Sequence, residues 1–407
     1  MTEKVKVQKM DNIKFINSIK FNNKVAIVRV DFNVPLDKTL KITDKTRIVK
    51  GISSIKHITD NGGRCIIISH LGRPQGQGYE KKFSLNNILD CVSEELKTNV
   101  KFIDNYYDEN FNINNLSSKV ILLENLRFYK EEKENCIEFA KKLSSFADIY
   151  VNDAFGTCHR EHTSINMLPR LMKESCAGLL IEEEISNINK ILNDYNKPFT
   201  AILGGAKVSD KIKVIEKFIE LADNIIIGGA MSNTFIKALG GNIGNSLYEE
   251  NKLSLALDIL DKAEKNNVKL ILPVDSKCSK SLGDQENILI FESNKIENKY
   301  SSFDIGPKSL KTFSKIIINS KTIIWNGPLG VFENKNFNEG TNQMANFISN
   351  ATKNGAFSLV GGGDSVSAIK KNNKENDISF ISTGGGALLH LIGNGYLPAL
   401  KILKAID

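Results

Sequence analysis

Two glycine runs occupy the points where an apolar stretch meets the start of a helical pattern. They are LVGGGDSVSAI (Leu359–Ile369) and ISTGGGALLHLI (Ile381–Ile392). Each glycine weakens regular structure by roughly 0.5–1 kcal/mol relative to alanine. One such run is as compatible with a tight turn as with a ligand site, but two of them favour a ligand that touches backbone N–H groups. Such groups at a helix N-terminus bind phosphate, and Asp364 offers a carboxylate to a hard cation such as Mg²⁺.

A third glycine-containing stretch adds positive charge. GGAKVSDKI (Gly204–Ile212) places Lys207 and Lys211 four residues apart after a predicted strand. This spacing predicts that both lysines lie on one face of a starting helix. The Gly-Gly pair favours close approach of a phosphate over the alternative of two solvated lysines. Neither GxGxxG nor GxxxxGK followed by Ser or Thr occurs in the chain, which argues against a standard dinucleotide fingerprint and a P-loop.

Arginine is rare in this chain and confined to its first half. Of 54 Lys plus Arg residues, the arginines are Arg29, Arg47, Arg64, Arg73, Arg127, Arg160 and Arg170. The planar arginine fork binds phosphate or carboxylate bidentately, whereas lysine is a point charge. Arg29, Arg73, Arg127 and Arg160 lie at or just past predicted strand ends, and Arg47 lies in the segment after the first strand. Surface salt bridges are the alternative, but the clustering predicts a site for a small, multiply anionic molecule.

The remaining polar side chains suggest little covalent chemistry. His70, His159 and His162 lie among the arginines as phosphate donors, whereas His57 and His390 look structural. No Ser-His-Asp constellation or carboxylate dyad stands out by its spacing. Phosphoryl transfer relies on positioning and charge neutralisation, and an attacking group that is already an anion needs no general base. We therefore predict phosphoryl transfer between a nucleotide and a small anionic partner, each bound to its own domain.

Alternating β-branched runs and amphipathic segments must position these groups. The predicted strands are 24–31, 64–70, 119–125, 148–154, 199–205, 224–229, 269–275, 322–327, 357–363 and 378–386. Their continuous apolar runs are typical of parallel strands buried on both faces under helices. Ligands bind beyond the carboxyl ends of such strands, where the polar and glycine clusters stand. The segment 176–198 reads as a helix leading into a link that ends in proline, and we place the domain boundary there.

Length and composition limit the number of domains, the partners and the compartment that we expect. A chain of 407 residues exceeds the usual size of one hydrophobic core, so we expect two domains. The formal charge of +7, the scattered lysines and the single tryptophan argue against a nucleic-acid partner. Six dispersed cysteines without a CxxC pair argue against zinc and disulfides. No signal peptide or membrane-spanning run is visible, so we expect a cytoplasmic protein without membrane contact.

Eight stretches in order carry most of the polar and glycine residues discussed above. They are RVDFNVPLD (Arg29–Asp37), SHLGRP (Ser69–Pro74), LLENLRF (Leu122–Phe128), VNDAFGTCHREHTS (Val151–Ser164), LGGAKVSDKI (Leu203–Ile212), WNGPLGVFE (Trp325–Glu333), GGGDS (Gly361–Ser365) and STGGGA (Ser382–Ala387). Together they resemble the phosphoglycerate kinase family, from about residue 20 to the end. The resemblance implies an α/β fold of two doubly wound parallel-sheet (Rossmann-like) domains joined by a hinge helix. It implies an acid-substrate domain at 1–180, a Mg-nucleotide domain at 181–393 and a tail at 394–407 that returns to the first domain.

The resemblance also implies a reaction and a set of site residues. The reaction is reversible transfer of the acyl phosphate of 1,3-bisphosphoglycerate to ADP with Mg²⁺, giving 3-phosphoglycerate and ATP. The acid substrate is expected at Asp31, Phe32, Asn33, Arg47, His70, Leu71, Gly72, Arg73, Arg127 and Arg160. The nucleotide is expected at Gly205, Lys207, Lys211, Gly229, Gly306, Asn326, Glu333, Gly362, Gly363, Asp364 and Ser365, with Glu333 at the ribose and Asp364 at the metal. The transferring phosphoryl group is expected at Arg47, Lys207 and the backbone amides of Gly362 and Gly385.

Three short stretches depart from the family pattern. Glu182-Glu183-Glu184 replaces the usual Lys-Lys-Glu of the hinge, Leu388-Leu389-His390 replaces Ser-Leu-Glu, and Leu397–Ala399 reads LPA instead of LPG. None of them touches a predicted phosphate-binding residue, although the first changes the charges of the hinge. A kinase of another small phosphorylated acid on the same scaffold is the first alternative. A non-catalytic anion- or nucleic-acid-binding module is the second, and we expect a monomer.

Overall fold

A computed structural model describes residues 13–113, 116–284 and 286–403. The chain divides into two compact units, one formed by Met1–Ser186 with Tyr396–Asp407 and the other by Asn187–Gly395. The division falls inside the helix Leu179–Leu192. No helix among the described residues is long and apolar enough to cross a bilayer.

The first unit is built on a six-stranded parallel sheet. Its strands are β1 (Val25–Val30), β2 (Arg64–Ile68), β3 (Val100–Ile103), β4 (Val120–Leu123), β5 (Ile149–Asp153) and β6 (Glu174–Ala177). Its helices are α1 (Thr46–Asp60), α2 (Leu89–Leu96), α3 (Ile137–Ser144), α4 (Met167–Leu171) and the start of α5 (Leu179–Leu192). The sheet order is β3-β4-β2-β1-β5-β6, so the order reverses where β1 lies between β2 and β5.

The central strands of this sheet are buried on both faces, as their continuous apolar runs predict. Ala26 and Val28 of β1 belong to one hydrophobic cluster with Ile48 of α1 and Val92 of α2. Ile27 alternates with them along the strand and is equally buried. Burying one such aliphatic side chain stabilises the fold by roughly 1.5–3 kcal/mol. The strand ends that carry the polar residues are therefore held by a rigid apolar layer.

The second unit contains another six-stranded parallel sheet and two small sheets. Its strands are β7 (Phe199–Leu203), β8 (Asn224–Ile227), β9 (Asn242–Ile243), β10 (Lys269–Ile271), β11 (Asp275–Ser279), β12 (Leu289–Glu292), β13 (Lys295–Ile296), β14 (Ser301–Ile305), β15 (Thr322–Asn326), β16 (Phe357–Gly361) and β17 (Phe380–Ile381). Its helices are α6 (Ile212–Leu221), α7 (Met231–Ala238), α8 (Leu253–Lys265), α9 (Pro307–Ile318), α10 (Glu339–Lys353), α11 (Gly363–Lys371) and α12 (Gly385–Asn394). The large sheet has the order β10-β8-β7-β15-β16-β17, β12-β11-β14 form an antiparallel sheet, and β13 pairs with β9.

Each predicted strand overlaps a strand of the structure, but the edge strands β3 and β6 of the first sheet and the small sheets were not predicted. The run 269–275 is split, because β10 ends at Ile271 and Asp275 begins β11 in a different sheet. Pro273 lies between the two strands, and the Asp275 carboxylate accepts the backbone N–H groups of Lys308 and Ser309 at the start of α9. The strand β11 reads DSKCS, a polar sequence without the β-branched signal on which the prediction depended.

The last described residues belong to the first unit. The short helix α13 (Pro398–Ile402) lies beside the β5 side of that unit, where the Ala399 N–H donates to the Cys158 carbonyl at 3.2 Å. The Leu403 carbonyl accepts the N–H of Lys14 at 3.0 Å. Phe15, next to Lys14, forms a parallel bridge to Ala177 of β6. Residues from both ends of the chain therefore cover one edge of the first sheet.

Candidate active site

Four neighbouring strands of the first sheet deliver predicted acid-site residues to one edge. In the sheet order β4, β2, β1 and β5 are consecutive. Asp31 follows β1, His70 follows β2, Arg127 follows β4, and Arg160 follows β5. The order of the strands reverses at β1, and open parallel sheets bind ligands beyond their carboxyl ends at such a point. The structure thus places these predicted residues at the edge where a ligand is expected.

Arg47 reaches the same edge from the first turn of α1. Its Nη1 lies 3.1 Å from Oδ2 of Asp31 and donates to the carbonyl oxygen of Asn33 at 3.1 Å. The Asp31 side chain is only 10% exposed, whereas that of Arg47 is 36% exposed. The carboxylate and the carbonyl therefore orient the guanidinium group without enclosing it, and the rest of its fork stays accessible to an anion.

The loop after β2 is fastened to both neighbouring loops. The Gly72 N–H donates to Oδ1 of Asn33 at 2.8 Å, and the Gly72 carbonyl accepts Nη1 of Arg127 at 2.7 Å. Gly72 has a φ of +64°, and a Cβ there would lie 2.3 Å from the ring of Phe83. Only glycine fits this position, so the loop that bridges Asn33 and Arg127 has a defined shape.

Phe32 and Leu71 are buried beside these loops. Both side chains belong to the hydrophobic core of the first unit, and the Phe32 N–H donates to Oγ of Ser69 at 2.9 Å. The two residues were predicted at the acid site. Their side chains lie in the hydrophobic core. At the edge of the sheet, these two residues therefore act by fixing the position of the adjoining loop backbone.

Positive charge accumulates at this edge with few compensating carboxylates. Burial, together with Arg160 and Arg29, lowers the pKa of Arg127 to about 10. Burial lowers the pKa of His70 well below its usual value, and the surrounding arginines lower it further. The Nε of Arg127 is buried and has no hydrogen-bond partner among the described residues. Arg73 is exposed, and its charge is close enough to lower the pKa of Arg160.

The two other histidines predicted as phosphate donors, His159 and His162, are less buried than His70. Burial lowers the pKa of His162 to about 3, and Arg127 and Arg160 lower it in the same direction. His162 is therefore neutral at physiological pH. His159 accepts a hydrogen bond at Nε2 from Nε of Arg160 at 3.4 Å. A role in orienting Arg160 suits this histidine at least as well as direct donation to a ligand.

The carboxyl edge of the second sheet consists largely of glycine backbone. The neighbouring strands β7, β15 and β16 are followed by Gly204, Gly327 and Gly362. A Cβ on Gly204 would lie 2.1 Å from the Pro328 carbonyl oxygen. A Cβ on Gly385 would lie 2.7 Å from the Cα of Gly362. The loops after β16 and β17 thus meet backbone to backbone, with no room for a side chain between them.

Several of these glycines adopt conformations that other residues avoid. The φ angles are +116° at Gly205, +67° at Gly229 and +95° at Gly362. Gly362 immediately precedes α11, of which Gly363 is the first residue, and Gly385 begins α12. The predicted arrangement of strand, glycine run and helix N-terminus is therefore present twice. Both helix starts expose backbone N–H groups, which makes this edge suitable for phosphate.

Lys211 and Asn326 form a buried polar pair at this edge. Lys211 is only 8% exposed, and burial lowers the pKa of its amino group to about 8. Asn326 in turn donates from Nδ2 to the Gly361 carbonyl at 2.9 Å, which ties β15 to β16. Ser365 accepts the Gly327 N–H on its Oγ at 2.7 Å. These contacts fix the glycine loops against one another.

The prediction that Lys207 and Lys211 share one face of a starting helix is wrong. The helix α6 begins only at Ile212, and the residues before it form an irregular turn in which the Lys211 N–H donates to the Val208 carbonyl at 2.9 Å. Lys207 is exposed, whereas Lys211 points into the unit. The turn is favoured because Ser209 is held by the Glu249 carboxylate at 2.6 Å.

Asp364 lies in the first turn of α11 with its carboxylate partly exposed. Burial and the charge of Glu333 raise its pKa, and Lys211 opposes them. A bound Mg²⁺ would favour the ionised carboxylate and so oppose both burial and the charge of Glu333. Mg²⁺ is commonly held by one or two carboxylates together with substrate phosphates. The residues present therefore fit Mg²⁺ when a nucleotide brings it.

Gly306 is the predicted nucleotide residue that lies apart from this edge. It follows β14 in the antiparallel sheet, where its backbone packs against the Asp275 carboxylate. Glu333 is exposed in the loop after β15 and lines a pocket of about 430 Å³ together with Val331 and Asn334. The structure thus gathers most of the predicted nucleotide residues at one edge and leaves Gly306 at the neighbouring sheet.

Comparisons with known proteins identify the family of this chain. The family model described as phosphoglycerate kinase matches residues 16–394. The chain belongs to the phosphoglycerate kinase family. It is 43% identical over 397 residues to the phosphoglycerate kinase of Finegoldia magna, an alignment that covers 96% of this chain and 99% of the relative.

Solved structures of the phosphoglycerate kinase family share the fold. The structure of phosphoglycerate kinase from Coxiella burnetii matches with a TM-score of 0.84 and 36% identity, covering 96% of this chain and 98% of that one. The enzyme from Pyrococcus horikoshii matches with a TM-score of 0.81 and 30% identity over the same shares of the two chains. The fold of two doubly wound, Rossmann-like α/β domains is thereby confirmed.

One residue of the family-like stretch LLENLRF was not assigned by the sequence analysis. Asn125 donates from Nδ2 to the carbonyls of Leu71 and Phe83 at 2.8 Å each, and its Oδ1 accepts the Arg127 N–H at 3.0 Å. It thereby holds the loop after β2 and the start of the turn that carries Arg127. Its place just past the end of β4 and two residues before an arginine is a signal that could have identified it.

Proposed function

We infer that this chain catalyses reversible transfer of the acyl phosphate of 1,3-bisphosphoglycerate to ADP, giving 3-phosphoglycerate and ATP, as its family membership implies. We propose that the first unit binds the acid substrate and the second unit binds the nucleotide. The observation that carries this assignment is the edge of the first sheet, where Arg47, Arg127, Arg160 and His70 converge with little negative charge. A small molecule with phosphate and carboxylate groups supplies that missing charge.

The charge and hydrogen-bond state of Arg127 supports an anionic ligand most directly. Its pKa is lowered because it is buried beside other cations, and its Nε is an unsatisfied buried donor. Leaving such a donor unpaired costs about 1–3 kcal/mol. A phosphate or carboxylate group bound at this edge would neutralise part of the local positive charge. Arg47 offers the second accessible guanidinium group at this edge.

The reaction needs no general base, because every attacking group is an anion. In the direction of ATP formation, a terminal phosphate oxygen of ADP attacks the acyl phosphorus. The bond between that phosphorus and the acyl oxygen breaks, and the oxygen leaves as the carboxylate of 3-phosphoglycerate. In the reverse direction the carboxylate attacks the terminal phosphorus of ATP and ADP leaves. No proton changes hands in either direction, which suits a site without a positioned acid–base pair.

The second unit would hold the nucleotide phosphates with backbone N–H groups and cations. We propose that the starts of α11 and α12 receive the phosphates, that Lys211 contributes charge, and that the exposed Glu333 meets the ribose. Asp364 is the proposed ligand of Mg²⁺, which neutralises charge on phosphate oxygens when it is bound. The close approach of Gly362 and Gly385 supports the proposal that their two amides act together on the transferring phosphoryl group. Arg47 and Lys207 are proposed as its cationic partners.

A coupled assay tests the function. Enzyme, 3-phosphoglycerate and MgATP are mixed with an NADH-linked dehydrogenase that consumes 1,3-bisphosphoglycerate, and NADH loss is followed. Parallel reactions replace 3-phosphoglycerate with 2-phosphoglycerate or phosphoglycolate and follow ADP release. Turnover with 3-phosphoglycerate at a far higher kcat/KM supports the proposal. A higher kcat/KM for another acid would favour the alternative kinase, and no turnover with any acid would favour a binding module.

We also propose that the protein is a cytoplasmic monomer. All six cysteines are free in the structure, including the partly exposed Cys91 and Cys136, which suits a reducing compartment. The acid-substrate site and the nucleotide site, as proposed, need no residue from a second chain. Light scattering during gel filtration would show the mass of one chain, and a stable dimer would contradict the monomer.

A further inference from the structure

Arg29 was counted among the arginines predicted to cluster around an anion, yet it is fully buried and is not one of the expected substrate-binding residues. It is the fifth residue of β1, with its guanidinium group beneath the acid-site edge. Its Nη2 lies 3.1 Å from Nδ1 of His70, its Nη1 donates to the Val30 carbonyl, and its Nε donates to Oγ of Ser164 at 3.0 Å. The buried guanidinium group is thus held at three points, one of which is the His70 ring.

The contact with His70 determines where the ring proton lies. An arginine side chain has five N–H donors and no acceptor, so Nδ1 of His70 must accept and cannot carry a proton. The nearest carboxylate oxygen, Oδ1 of Asp31, lies 3.8 Å from Nδ1, beyond hydrogen-bond distance. The ring is neutral, because burial lowers its pKa and because Arg29, Arg127, Arg160 and Arg47 face it. Its single proton is therefore on Nε2.

We infer that Arg29 is a positioning residue that fixes His70 as the Nε2–H tautomer, which can donate a hydrogen bond to an anionic substrate oxygen. A neutral histidine in the other tautomer would present a lone pair at Nε2 and repel that oxygen. The inference rests on the proposed function only in naming the recipient of the hydrogen bond. The tautomer itself follows from the contacts inside the first unit.

Glu132 and Ser164 hold Arg29 in this position. The Ser164 hydroxyl has one proton, and because it accepts from Arg29 it must donate to Oε1 of Glu132, which lies 2.7 Å away. The Ser164 N–H donates to Oε2 of Glu132 at 2.9 Å. Glu132 is fully buried at the end of the turn Lys130–Glu132. The serine therefore links a buried carboxylate to the buried guanidinium group, and the chain Glu132–Ser164–Arg29 ends at His70.

The tautomer is directly measurable in the wild-type protein. The chain has five histidines, so uniform ¹⁵N-histidine labelling gives few signals, and the His70 pair is identified by its loss in His70→Gln. Long-range ¹H–¹⁵N correlation at neutral pH should show His70 with Nδ1 unprotonated and Nε2 protonated. A protonated Nδ1, or the averaged signals of a tautomer mixture, would overturn the inference without any use of the activity.

Ser164→Ala then tests the support of Arg29. Loss of one hydrogen bond to a buried charged group should loosen Arg29, admit some Nδ1–H tautomer at His70, and weaken 3-phosphoglycerate binding in calorimetry by roughly two- to tenfold. Ser349→Ala is the matched control, because this buried hydroxyl donates to the Asp377 carboxylate at 2.8 Å in the second unit. It should change neither the His70 signals nor the affinity.

The two measurements distinguish a failure of the inference about Arg29 and Ser164 from a failure of the proposed function. Weaker binding in Ser164→Ala with unchanged His70 signals would overturn the role of the serine in fixing the tautomer. The expected tautomer in a wild-type protein that does not bind 3-phosphoglycerate would support the assignment of Arg29 and overturn the proposed function. Because the first measurement needs no variant of Arg29, poor folding of such a variant cannot obscure the outcome.

Discussion

The amino group of Lys211 donates to both oxygens that Asn326 offers, to the backbone carbonyl at 2.8 Å and to Oδ1 at 2.6 Å. The lysine is nearly fully buried, and its strongest opposing charges come from Asp210 and Asp364. Hydrogen bonds to neutral oxygens compensate only part of the cost of burying a charge. The charge of the Lys211 amino group is therefore only partly compensated in the structure, and an anionic ligand would stabilise the charged form.

The depressed pKa of Lys211 predicts a defined pH dependence of stability. The ordinary pKa of 10.5 applies to the unfolded chain, and the folded value is about 8. Between these values the unfolded chain holds a proton that the folded chain has released, so the free energy of unfolding rises with pH. The stability gained when the buried Lys211 amino group is neutral is fully present above pH 10.5 and is lost as the pH falls through 8. The slope is at most about 1.4 kcal/mol per pH unit.

Urea unfolding of the wild type and of Lys211→Met between pH 7.5 and 9.5 measures this contribution. The wild-type free energy of unfolding should rise relative to that of the variant as the pH increases. Lys213→Met is a suitable control, because Lys213 also donates to an asparagine, Asn394 at 2.7 Å, but does so in an exposed position. Parallel pH profiles for the wild type and Lys211→Met would refute the depressed pKa.

Arg47→Lys tests whether the guanidinium fork is needed in addition to the charge. A lysine can reach Asp31 but cannot bind it and a phosphoryl oxygen in the same planar arrangement. Removing one preorganised donor typically reduces the rate by about 10²–10³. We expect kcat to fall at least about tenfold, since lysine restores part of the interaction, and the KM for 3-phosphoglycerate to change less.

Arg64→Lys is the matched control for this substitution. Arg64 donates to the carbonyls of Ser118 and Leu116 at the opposite, amino end of β2, so its replacement should leave kcat near the wild-type value. Steady-state kinetics with both substrates varied gives kcat and KM for each variant. An unchanged kcat with a raised KM for Arg47→Lys would place Arg47 among the ground-state anchors.

Asp364→Ala tests the metal site. If Asp364 is a ligand of Mg²⁺, its loss should weaken MgADP by at least about tenfold more than metal-free ADP, because even the loss of a group behind a metal ligand typically costs 10–100-fold. Titration calorimetry with and without Mg²⁺ measures both affinities. Glu333→Gln is the control variant, since loss of a ribose contact should weaken ADP binding equally with and without Mg²⁺. If Asp364→Ala weakens the binding of MgADP and of metal-free ADP equally, Asp364 is not a ligand of the metal.

Gly385→Ala tests the close approach of the two glycine loops. The new methyl group would lie 2.7 Å from the Cα of Gly362, so the backbone must move. We expect a loss of about 1–3 kcal/mol in the free energy of unfolding and a fall in kcat of at least about tenfold if the two amides act on the phosphoryl group. Gly283→Ala, where nothing lies within 4 Å of the new Cβ, should affect neither. Wild-type kcat in Gly385→Ala would show that the exact spacing of the amides is unimportant.

The sequence predicted best those elements whose signal is local. The strand β4 is a continuous apolar run that is buried along its whole length. The glycine run before α11 predicts both the start of a helix and a loop whose backbone is not covered by side chains. The strand β11 carries no such signal, because the Asp275 carboxylate accepts hydrogen bonds from Ser309 of α9 and is not part of an apolar layer. Its existence depends on residues more than thirty positions away.

The site was predictable in its residue types but not in all of its geometry. Arg127 could be named from its place after a strand, yet its unsatisfied Nε follows from packing that a sequence does not display. Lys207 and Lys211 have helical spacing, but the bond of Ser209 to Glu249 favours a turn there. The family resemblance supplied the roles of Phe32 and Leu71, and only the structure shows their side chains in the core.

The segment that ends at Leu403 joins the first unit, although the whole of Asn187–Gly395 lies between it and the rest of that unit. During translation the first sheet therefore emerges from the ribosome before the partner of the Lys14 N–H exists. A nascent chain that stalls at Gly395 contains every strand of both large sheets but lacks α13. The acceptor for the Lys14 N–H and the donor to the Cys158 carbonyl are synthesised only after the whole of the second unit. The contacts of the first unit are therefore completed last.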